Sequence, residues 1–549
     1  MKKVILSAFA LFLAIGMSAQ IKSVIPSAAK VKQYEPIFFV VTFEGEKWEN
    51  PYLQEEAALD MMITTPSGKE IVLPAFFKGT NGGEMHGLWE ARFAPQEKGK
   101  YTYHFRYTKN GKVADESAPA TFKSVAGKHK GFLHVRDNWT LVYDNGEPFR
   151  GVGINLCWES RTQDDSKFFS DLHEQHHRFN FDAMLPDFAQ NGGNFTRMWI
   201  CDWNFPIDRQ TGFNNPRYTE TTEYMNESAC ERLDHVVNLA EDLDIKIMLC
   251  MGQGNVVANR DFFTKEESKV RYRNYLRYIV ARWGYSPAIA MWEFFNEIDN
   301  VQHNAPEGVI PAADIVAWHD EMSTYLAGLD PFQHIRTTSI SHRDLEGLND
   351  LKNIDINQKH IYNATHVVPE TIDAYIAKHG KPYIVGEVGY EWDWSKNFDD
   401  FADGMEMDFR RAFWYGLFSQ TSLTPMTWWW EWFDEHKTIP YMKNARLVSD
   451  LMLKAGKGQF EKFQTTKNDK AEAYAVRCGK QTFVYVYNGN EEVLDEISVE
   501  IGKTGKVKAS VLDPENVKIV KAGTMKAEGT LKFEGLGLNK WEEKVFVIK

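Results

Sequence analysis

Eight strand-like apolar runs alternate with helical stretches between residues 128 and 460, and no other feature constrains the fold as much. Eight strand–helix units over about 330 residues predict a (β/α)₈ TIM barrel, which typically needs about 250 residues plus insertions. A doubly wound sheet is the alternative, but no Gly-x-Gly-x-x-Gly motif follows a strand and no P-loop is present. The predicted strands are 149–156, 193–200, 245–251, 289–295, 334–340, 354–362, 383–388 and 425–430. The predicted helices are 181–190, 230–243, 266–283, 312–329, 343–351, 369–379 and 407–419.

The sequence on either side of the barrel alternates with the period of two that is typical of β-strands. Short apolar runs separated by turn dipeptides, such as Asn110-Gly111, fill residues 20–127 and predict an N-terminal, immunoglobulin-like β-sandwich. The same pattern returns after residue 460 and predicts a second, smaller β-sandwich over 461–549. The chain is therefore predicted to be multidomain, with a barrel of residues 128–460 between two β-sandwich domains.

Residues 1–19 have the pattern of a secretory signal peptide. Two Lys residues precede an apolar run from Val4 to Gly16, and a small residue, Ala19, precedes the expected cleavage site. The sequence therefore predicts an exported protein, periplasmic or extracellular. Since no other stretch approaches the roughly 18 apolar residues of a membrane-spanning helix, no membrane insertion is expected.

The charge balance argues against some classes of partner, and the cysteines argue against disulfide and zinc frameworks. The chain has 76 acidic and 63 basic residues and no Lys/Arg cluster, which argues against nucleic acid or anionic membranes as partners. Its five cysteines include no Cys-x-x-Cys pair, so they indicate neither a disulfide framework nor a zinc knuckle.

Two glutamates fall at the carboxyl ends of predicted strands, where reactive groups lie in barrels of this type. Glu297 follows the fourth strand and Glu387 ends the seventh, so they face each other across the barrel mouth. Paired carboxylates suit glycoside hydrolysis, because one donates a proton to the leaving oxygen while the other stays ionised. Asn296 precedes Glu297, and its amide can hydrogen-bond a sugar 2-hydroxyl. The alternative for either glutamate is a solvated loop residue.

The string Trp292-Glu293-Phe294-Phe295-Asn296-Glu297 is similar to the Trp-Glu-x-x-Asn-Glu signature of several β-mannanases. With Asn-Glu after strand four and Glu after strand seven, residues 128–460 resemble the clan A glycoside hydrolases, specifically the family 5-like members of the cellulase/β-mannanase superfamily. The flanking sandwiches resemble those of secreted clan A enzymes from polysaccharide-degrading bacteria. The resemblance implies a retaining hydrolase with Glu297 as general acid/base and Glu387 as nucleophile, their carboxylates about 5–5.5 Å apart.

Further residues match clan positions one by one. Arg197, in predicted strand two, matches the clan Arg that hydrogen-bonds the nucleophile, and a fixed guanidinium would keep Glu387 ionised. An ordinary barrel-rim salt bridge is the alternative for Arg197. His360 and Tyr362 match a His-x-Tyr pair whose Tyr hydroxyl would touch the nucleophile and whose imidazole would touch a sugar hydroxyl.

Tryptophan concentrates at one end of the predicted barrel. Of the 17 Trp residues, 14 lie between residues 128 and 460. The run Trp428-Trp429-Trp430 matches the clan's aromatic floor beneath the reacting sugar, although strand alternation means that the three rings cannot all face inward. Sugar rings present apolar C–H faces that stack on indoles, so a Trp-lined cleft fits a carbohydrate substrate. The Trp residues at or beyond predicted strand ends are Trp158, Trp199, Trp203, Trp392, Trp394, Trp428, Trp429, Trp430 and Trp432.

The sequence therefore predicts a secreted, retaining glycoside hydrolase that cleaves a plant- or algal-type polysaccharide or oligosaccharide by double displacement. This chemistry needs two glutamates and neither a metal nor a cofactor. Two other function classes stay open. His173-Glu174-x-x-His177 fits the H-E-x-x-H motif of a secreted zinc metallopeptidase, although no third ligand follows at a recognised spacing. A non-catalytic carbohydrate-binding protein would keep the aromatic surface, but it would not need both glutamates.

Overall fold

The computed structural model describes residues 20–79, 87–161, 178–252, 258–391, 396–467 and 471–549. The predicted signal peptide, residues 1–19, and the His173-Glu174-x-x-His177 motif lie outside these ranges, as do Trp392 and Trp394. None of the described helices combines the length and the apolar character that a bilayer-spanning helix needs.

In the described part of the N-terminal region, residues 20–79 and 87–127, the regular elements are strands. These are β1 (Gln20–Pro26), β2 (Lys30–Lys32), β3 (Ile37–Glu44), β4 (Ala57–Thr64), β5 (Glu70–Pro74), β6 (Phe76–Phe77), β7 (Leu88–Phe93), β8 (Gly99–Lys109), β9 (Lys112–Glu116) and β10 (Ala120–Val125). They form one sheet of order β1-β3-β7-β6 and another of order β2-β10-β8-β4-β5, with β9 paired to β8. Residues of β3 are buried in alternation, because one face of each sheet is turned to a shared core. In that core the rings of Phe39 and Tyr103, one from each sheet, lie 4.8 Å apart.

A short antiparallel sheet leads from this region into the barrel. Its strands are β11 (Leu133–Val135), β12 (Leu141–Tyr143) and β13 (Pro148–Phe149). Leu141 and Phe149 share an apolar cluster with Met248 and Met291 of the barrel strands. The sheet therefore covers the amino-terminal end of the barrel, opposite to the end where reactive groups lie.

The central region alternates strands with helices. The strands are β14 (Phe195–Trp199), β15 (Lys246–Cys250), β16 (Ile289–Glu293), β17 (Ile335–Thr337), β18 (Ser339–Ile340), β19 (Asn357–Tyr362) and β20 (Tyr383–Gly389). The helices are α1 (Phe181–Gln190), α2 (Glu227–Asp242), α3 (Arg260–Thr264), α4 (Glu266–Trp283), α5 (Ile298–His303), α6 (Ala312–Leu329), α7 (Val368–His379), α8 (Ala402–Leu417), α9 (Trp430–Glu435) and α10 (Met442–Gly456). Single 3₁₀ turns lie at Leu348–Asp350, Thr365–Val367, Phe398–Phe401 and Ile439–Tyr441.

The parallel strands close into a ring. They form two hydrogen-bonded groups, β14-β15-β16-β17 and β18-β19-β20, and residues 335–340 make up one barrel strand interrupted at Thr338. The first and eighth strands complete the ring through isolated parallel bridges, which join Gly151 to Leu423, Asn155 to Arg197, and Val388 to Thr427. The predicted (β/α)₈ barrel is confirmed.

Two barrel elements differ from the prediction. The eighth strand does not extend to residue 430, because Trp429 adopts a left-handed φ of 57° and Trp430 begins α9. The predicted helix 343–351 is reduced to the 3₁₀ turn Leu348–Asp350. There the Asp299 carboxylate accepts hydrogen bonds from the backbone N–H groups of residues 341, 342 and 343, which holds the start of this segment as a loop.

A buried ionic cluster joins the N-terminal sheets to the barrel helices. Arg92 of β7 donates to both carboxylate oxygens of Asp234 in α2, at 2.7 and 3.1 Å, and to the carbonyl oxygen of Arg282 in α4. Arg282 also binds Asp234, at 2.8 Å, and pairs with Glu227. Because these groups are largely removed from water, the cluster fixes the two parts of the chain against each other.

Replacing Arg92 with alanine is expected to destabilise the protein by about 3–5 kcal/mol, because it removes a cation from a buried ionic cluster and leaves Asp234 with Arg282 alone and Glu90 without its guanidinium. The shift of the denaturant midpoint of unfolding measures the effect. Arg106→Ala is the matched control, since Arg106 pairs with Glu116 on the exposed face of the same region and its loss should leave the midpoint unchanged. Equal midpoints for the two variants would contradict the role of the cluster.

The C-terminal region is one sheet rather than the predicted pair of sheets. Its strands are β21 (Phe460–Lys462), β22 (Thr466–Lys467), β23 (Glu472–Cys478), β24 (Gln481–Tyr487), β25 (Ile497–Asp513), β26 (Lys518–Phe533) and β27 (Glu543–Ile548), in the order β21-β23-β24-β27-β25-β26 with β22 paired to β23. The register of β25 and β26 shifts after Glu500 and after Ala509, and such irregularities bend strands. As a result β25 contacts β22 and β23, with which it does not pair, and the sheet folds over its own core.

Candidate active site

Glu297 and Glu387 both lie at carboxyl ends of barrel strands. Glu387 is within β20, and Glu297 follows β16. The backbone of Glu297 is left-handed, with φ 48° and ψ 57°, and its N–H donates to Ser339 Oγ at 2.8 Å. This conformation is strained for a residue with a side chain, and such strain concentrates at functional sites. With its backbone in this conformation, the Glu297 carboxylate points into the barrel mouth, toward Glu387.

The two carboxylates are close enough for direct attack on a bound sugar. One oxygen of Glu297, one oxygen of Glu387 and a ring nitrogen of His360 all lie within 4.8 Å of one another. Retaining glycosidases hold their carboxyl groups about 5–5.5 Å apart, whereas inverting enzymes need about 6.5–9.5 Å to admit a water molecule. The 4.8 Å limit joins one oxygen of each carboxylate and is compatible with the retaining spacing.

Arg197 bonds the Glu387 carboxylate on one side, and Tyr362 bonds it on the other. The Arg197 guanidinium is completely buried and donates from Nη1 to Glu387 Oε1 at 2.6 Å. The Tyr362 hydroxyl donates to the second oxygen, Oε2. Both contacts stabilise the ionised carboxylate and fix its orientation. Arg197 also bonds Asn296 Oδ1 at 2.7 Å, which leaves the amide N–H groups of Asn296 for a sugar hydroxyl.

His360 lies between the two glutamates. Its Nδ1 is 2.8 Å from Glu297 Oε1 and 3.3 Å from Glu387 Oε2. Burial lowers the pKa of His360 to about 4, so the imidazole is neutral near pH 7. Its Nδ1 faces both carboxylates, while its Nε2 has no hydrogen-bond partner among the described residues, so the contact with a sugar hydroxyl that the family resemblance implies for this ring stays a prediction.

The surroundings of the two glutamates differ. Burial and the nearby Asp299 carboxylate together raise the pKa of Glu297 to about 7, although Arg197 and the Asn300 amide act in the opposite direction. Asn300 Nδ2 donates to Glu297 Oε2 at 2.7 Å. Burial also raises the pKa of Glu387, but the hydrogen bonds from Arg197 and Tyr362 favour its ionised form. Glu297 is therefore the group suited to carry a proton near neutral pH.

Glu293 belongs to the site although the sequence analysis gave it no role. It is fully buried and accepts two bonds from Arg197, at 2.6 and 2.8 Å, and one from Gln358 at 3.0 Å. It thereby fixes the guanidinium that orients Glu387. A sequence signal for it exists, because Met291 lies inside the barrel and the period of two along a strand turns Glu293 to the same side. A carboxylate inside the barrel requires a cationic partner.

Five indoles pack against one another at the barrel mouth. The ring of Trp158 lies 4.9–5.7 Å from each of four others, which are Trp199, Trp203, Trp428 and Trp430. Trp158, Trp203 and Trp428 keep part of their surface exposed. These three part-exposed rings are the indole surfaces of the cluster that a ligand can reach.

Trp429 and Trp430 do not offer such a surface. They are only 8% and 2% exposed, and the Trp429 indole N–H donates to the carbonyl oxygen of Tyr390 at 2.7 Å. A substrate-binding role for Trp429 and Trp430 stays a prediction, and Trp428 is the most exposed ring of the run. The end of the eighth strand after Thr427 turns the rings of Trp429 and Trp430 into the protein.

Among the described residues, Glu297, His360 and Glu387 could together offer three ligand atoms to a metal ion. The guanidinium of Arg197, 2.6 Å from Glu387, already supplies the positive charge at this position and would repel a cation. The donor set therefore fits acid–base and nucleophilic chemistry better than metal binding.

Comparisons with known proteins found related sequences and structures. Residues 30–108 match a domain of unknown function (DUF5060), and residues 135–422, more than half of the chain, match the family described as apiosidase-like, catalytic domain. Mannan endo-1,4-beta-mannosidase A of Podospora anserina is 24% identical over 251 residues, which are 39% of this chain and 65% of that protein. The match thus spans just under two thirds of that relative's length.

Solved structures share the fold. A Bacteroides vulgatus protein provisionally identified as a glycoside hydrolase superposes with a TM-score of 0.66 at 14% identity, covering 95% of this chain and 100% of the other. A glycoside hydrolase family 5 structure, also from Bacteroides vulgatus, gives a TM-score of 0.55 at 16% identity, covering 76% and 92% of the two chains.

Proposed function

The chain belongs to the family of apiosidase-like catalytic domains, and from this membership we propose a retaining glycosidase mechanism that uses Glu387 as nucleophile and Glu297 as acid and base. The enzyme is a glycoside hydrolase of the family 5-like clan A type. The observation that supports the mechanism best is the approach of the two carboxylates within 4.8 Å, with Arg197 and Tyr362 both bonded to Glu387.

In the first step, an oxygen of Glu387 attacks the anomeric carbon while the bond to the leaving oxygen breaks. Glu297 donates its proton to that oxygen, which departs as an alcohol. The Asn296 amide is placed to bind the sugar 2-hydroxyl, a contact that strengthens as positive charge develops on the ring. A covalent glycosyl–Glu387 ester and an ionised Glu297 remain.

In the second step, Glu297 takes a proton from water, and the resulting hydroxyl attacks the anomeric carbon. The ester bond breaks, Glu387 regains its negative charge, and Glu297 is protonated again. Glu297 changes from acid to base because the charge of Glu387 changes. Ester formation removes a negative charge close to Glu297, which lowers the pKa of Glu297 and favours its action as a base. Release of the sugar restores the starting state.

The substrate is proposed from the names of the family and of its relatives. The family description suggests terminal apiosyl linkages, and the name of the Podospora relative suggests β-1,4-mannan. A glycan with apiosyl linkages and β-1,4-mannan both fit the predicted preference for plant-type polysaccharides. We also propose export, since residues 1–19 have the pattern of a signal peptide; the N-terminal residue of the mature protein tests this.

The function is tested with a panel of an apiosyl-containing pectic oligosaccharide, β-1,4-mannan and 4-nitrophenyl glycosides of single sugars. The wild-type protein is expected to release sugar from at least one member, and Glu387→Gln to release none. Binding of a glycan without release by the wild type would favour a non-catalytic carbohydrate-binding protein. A protein substrate is added for the zinc peptidase alternative, which peptide cleavage that survives in Glu387→Gln but disappears with a chelator would favour.

The pKa of Glu297 predicts how activity depends on pH. Because the protonated form donates to the leaving oxygen, kcat/KM is expected to fall above about pH 7, where Glu297 ionises. The Asn300 amide bonds the ionised carboxylate and so lowers this pKa. Asn300→Ala should therefore move the alkaline limb upward by roughly one pH unit, the size expected for a hydrogen bond to a charged group.

The control for this prediction is Asn363→Ala, because Asn363 bonds the exposed Glu391 instead of a catalytic group. Its pH profile should match that of the wild type. An unchanged or lower alkaline limb in Asn300→Ala would show that Glu297 is not the group that titrates.

A further inference from the structure

Three lysines lie side by side on the outer face of the N-terminal sheet that contains β2, β10 and β8. Lys123 of β10 pairs in register with Lys30 of β2 on one side and with Lys100 of β8 on the other. All three side chains are exposed, whereas the adjacent residues Phe122 and Tyr101 are buried in the core. The three lysines are far apart in sequence and form one row across three strands, which are about 4.8 Å apart. We call them the lysine row.

No carboxylate neutralises the lysine row. Within the described ranges, no Asp or Glu oxygen lies within 4.0 Å of any of the three amino groups. Two glutamates of the same region are bonded to other groups. Glu35 pairs with Lys32 at 2.8 Å, and Glu70 accepts a hydrogen bond from Thr64 Oγ1 at 2.8 Å. The row therefore presents three positive charges to solvent on a protein whose net charge is −13.

The structure of the sheet does not explain the lysine row. Like charges directly opposite each other on adjacent strands destabilise a sheet. Lysines do protect exposed edge strands against unwanted pairing, which accounts for Lys30, because β2 is at the edge of its sheet. Edge protection does not account for Lys100 and Lys123, since β8 and β10 each have a strand on both sides. These two cations therefore point to a partner outside the protein.

The geometry of the row fits a polymer with one negative charge on each repeating unit. A polysaccharide of uronic acids carries one carboxylate on every sugar residue, and the length of one sugar residue along a 1,4-linked chain is similar to the spacing of neighbouring strands. The next row on this face contains Thr121 and Thr102, which pair with each other and are exposed, so their hydroxyls can bond sugar hydroxyls. Neither row contains an aromatic side chain on which nucleic-acid bases could stack.

We propose that the lysine row binds an acidic polysaccharide of uronic acids, so that the N-terminal domain holds the enzyme on a polymer through a surface separate from the catalytic cleft. The choice of a polysaccharide over other polyanions rests on the proposed function, because a glycoside hydrolase works on glycans. The interaction consists of exposed ion pairs, so added salt weakens it.

The test uses polygalacturonate and its full methyl ester, which has the same backbone without the charges. The variant Lys30→Gln/Lys100→Gln/Lys123→Gln removes the charges of the lysine row. It is made in the inactive Glu387→Gln protein, so that cleavage does not interfere. Calorimetry measures binding at low and at high salt, with double-stranded DNA and phosphatidylglycerol vesicles as competing polyanions.

The matched control is Lys22→Gln/Lys352→Gln/Lys437→Gln in the same inactive protein. These three lysines are also exposed and also form no ion pair among the described residues, but they lie in three different parts of the chain. Folding is checked separately, with the lysine-row substitutions placed in the otherwise wild-type protein. That variant should release sugar like the wild type and unfold at the same or a higher denaturant concentration, because repulsion between like charges has been removed.

The lysine-row variant is expected to bind polygalacturonate about 10-fold more weakly than the control, as for loss of three exposed charge contacts. The methyl ester should bind to neither. Equal affinity of the two variants for polygalacturonate, no binding of it by the inactive protein, or equal binding of its methyl ester would overturn the proposal. Tighter binding of DNA or vesicles than of polygalacturonate would overturn the polysaccharide in favour of that polyanion. The proposed function fails by a different result, in which the wild type releases no sugar from any probe.

Discussion

Replacing Glu387 with glycine is expected to lower kcat/KM by about 10⁴-fold or more, because the covalent intermediate can no longer form. The protein should stay folded, since Arg197 keeps its two bonds to Glu293. Added azide can occupy the space that the carboxylate leaves, beside Arg197 Nη1, and attack the anomeric carbon in its place. The expected product is a glycosyl azide of inverted configuration, which NMR identifies.

Glu297→Ala is the control that separates the two glutamates. Here Glu387 still forms the covalent intermediate, and azide intercepts it from the opposite face, so the glycosyl azide should have retained configuration. If azide fails to rescue Glu387→Gly, or rescues it with retained configuration, Glu387 is not the nucleophile. The two variants therefore give opposite products only if the roles are assigned correctly.

Arg197→Met is expected to abolish measurable activity and to destabilise the protein by about 3–5 kcal/mol, as when one partner of a buried ion pair is removed. Arg197 is completely buried and bonds two carboxylates, which belong to Glu293 and Glu387. Without the guanidinium both acids face a low-dielectric interior, so the pKa of Glu387 rises and the nucleophile becomes protonated. Urea unfolding followed by Trp fluorescence measures the loss of stability.

The double variant Arg197→Met/Glu293→Gln tests the cause of that loss. Neutralising Glu293 removes one uncompensated charge, so the double variant should be more stable than Arg197→Met alone while staying inactive. Equal stability of Arg197→Met and the wild type would mean that the ion pairs do not hold the site together. Equal stability of the single and double variants would mean that Glu293 is not charged in the fold.

Most of the barrel could be predicted because its strands and helices carry strong local periods. The predicted helices 181–190, 266–283 and 312–329 coincide with α1, α4 and α6. The segment 343–351 could not be predicted as a loop, because its conformation depends on the distant Asp299 carboxylate. The C-terminal region shows the same limit, since alternation identifies strands but does not say whether they form one folded sheet or two.

In the active site, strand ends located Glu297 and Glu387, because a barrel gathers the ends of its strands at one face, and the family resemblance added Arg197 and Tyr362. In the structure Arg197 and Tyr362 both bond Glu387, and an oxygen of Glu297 lies within 4.8 Å of an oxygen of Glu387. Sequence reasoning missed Asn300, whose contact with Glu297 arises one turn into α5. It also extended the eighth strand to residue 430, because the turn after Thr427 has no local signal that ends the strand.

The configuration of the first-formed product tests the central claim most directly. Proton NMR follows the anomeric signal of the sugar that the wild type releases from whichever probe it cleaves, before mutarotation mixes the anomers. Attack by Glu387 followed by attack of water inverts the anomeric carbon twice, so the product should appear first with the configuration of the substrate. Initial appearance of the opposite anomer would contradict the double displacement and the nucleophilic role of Glu387.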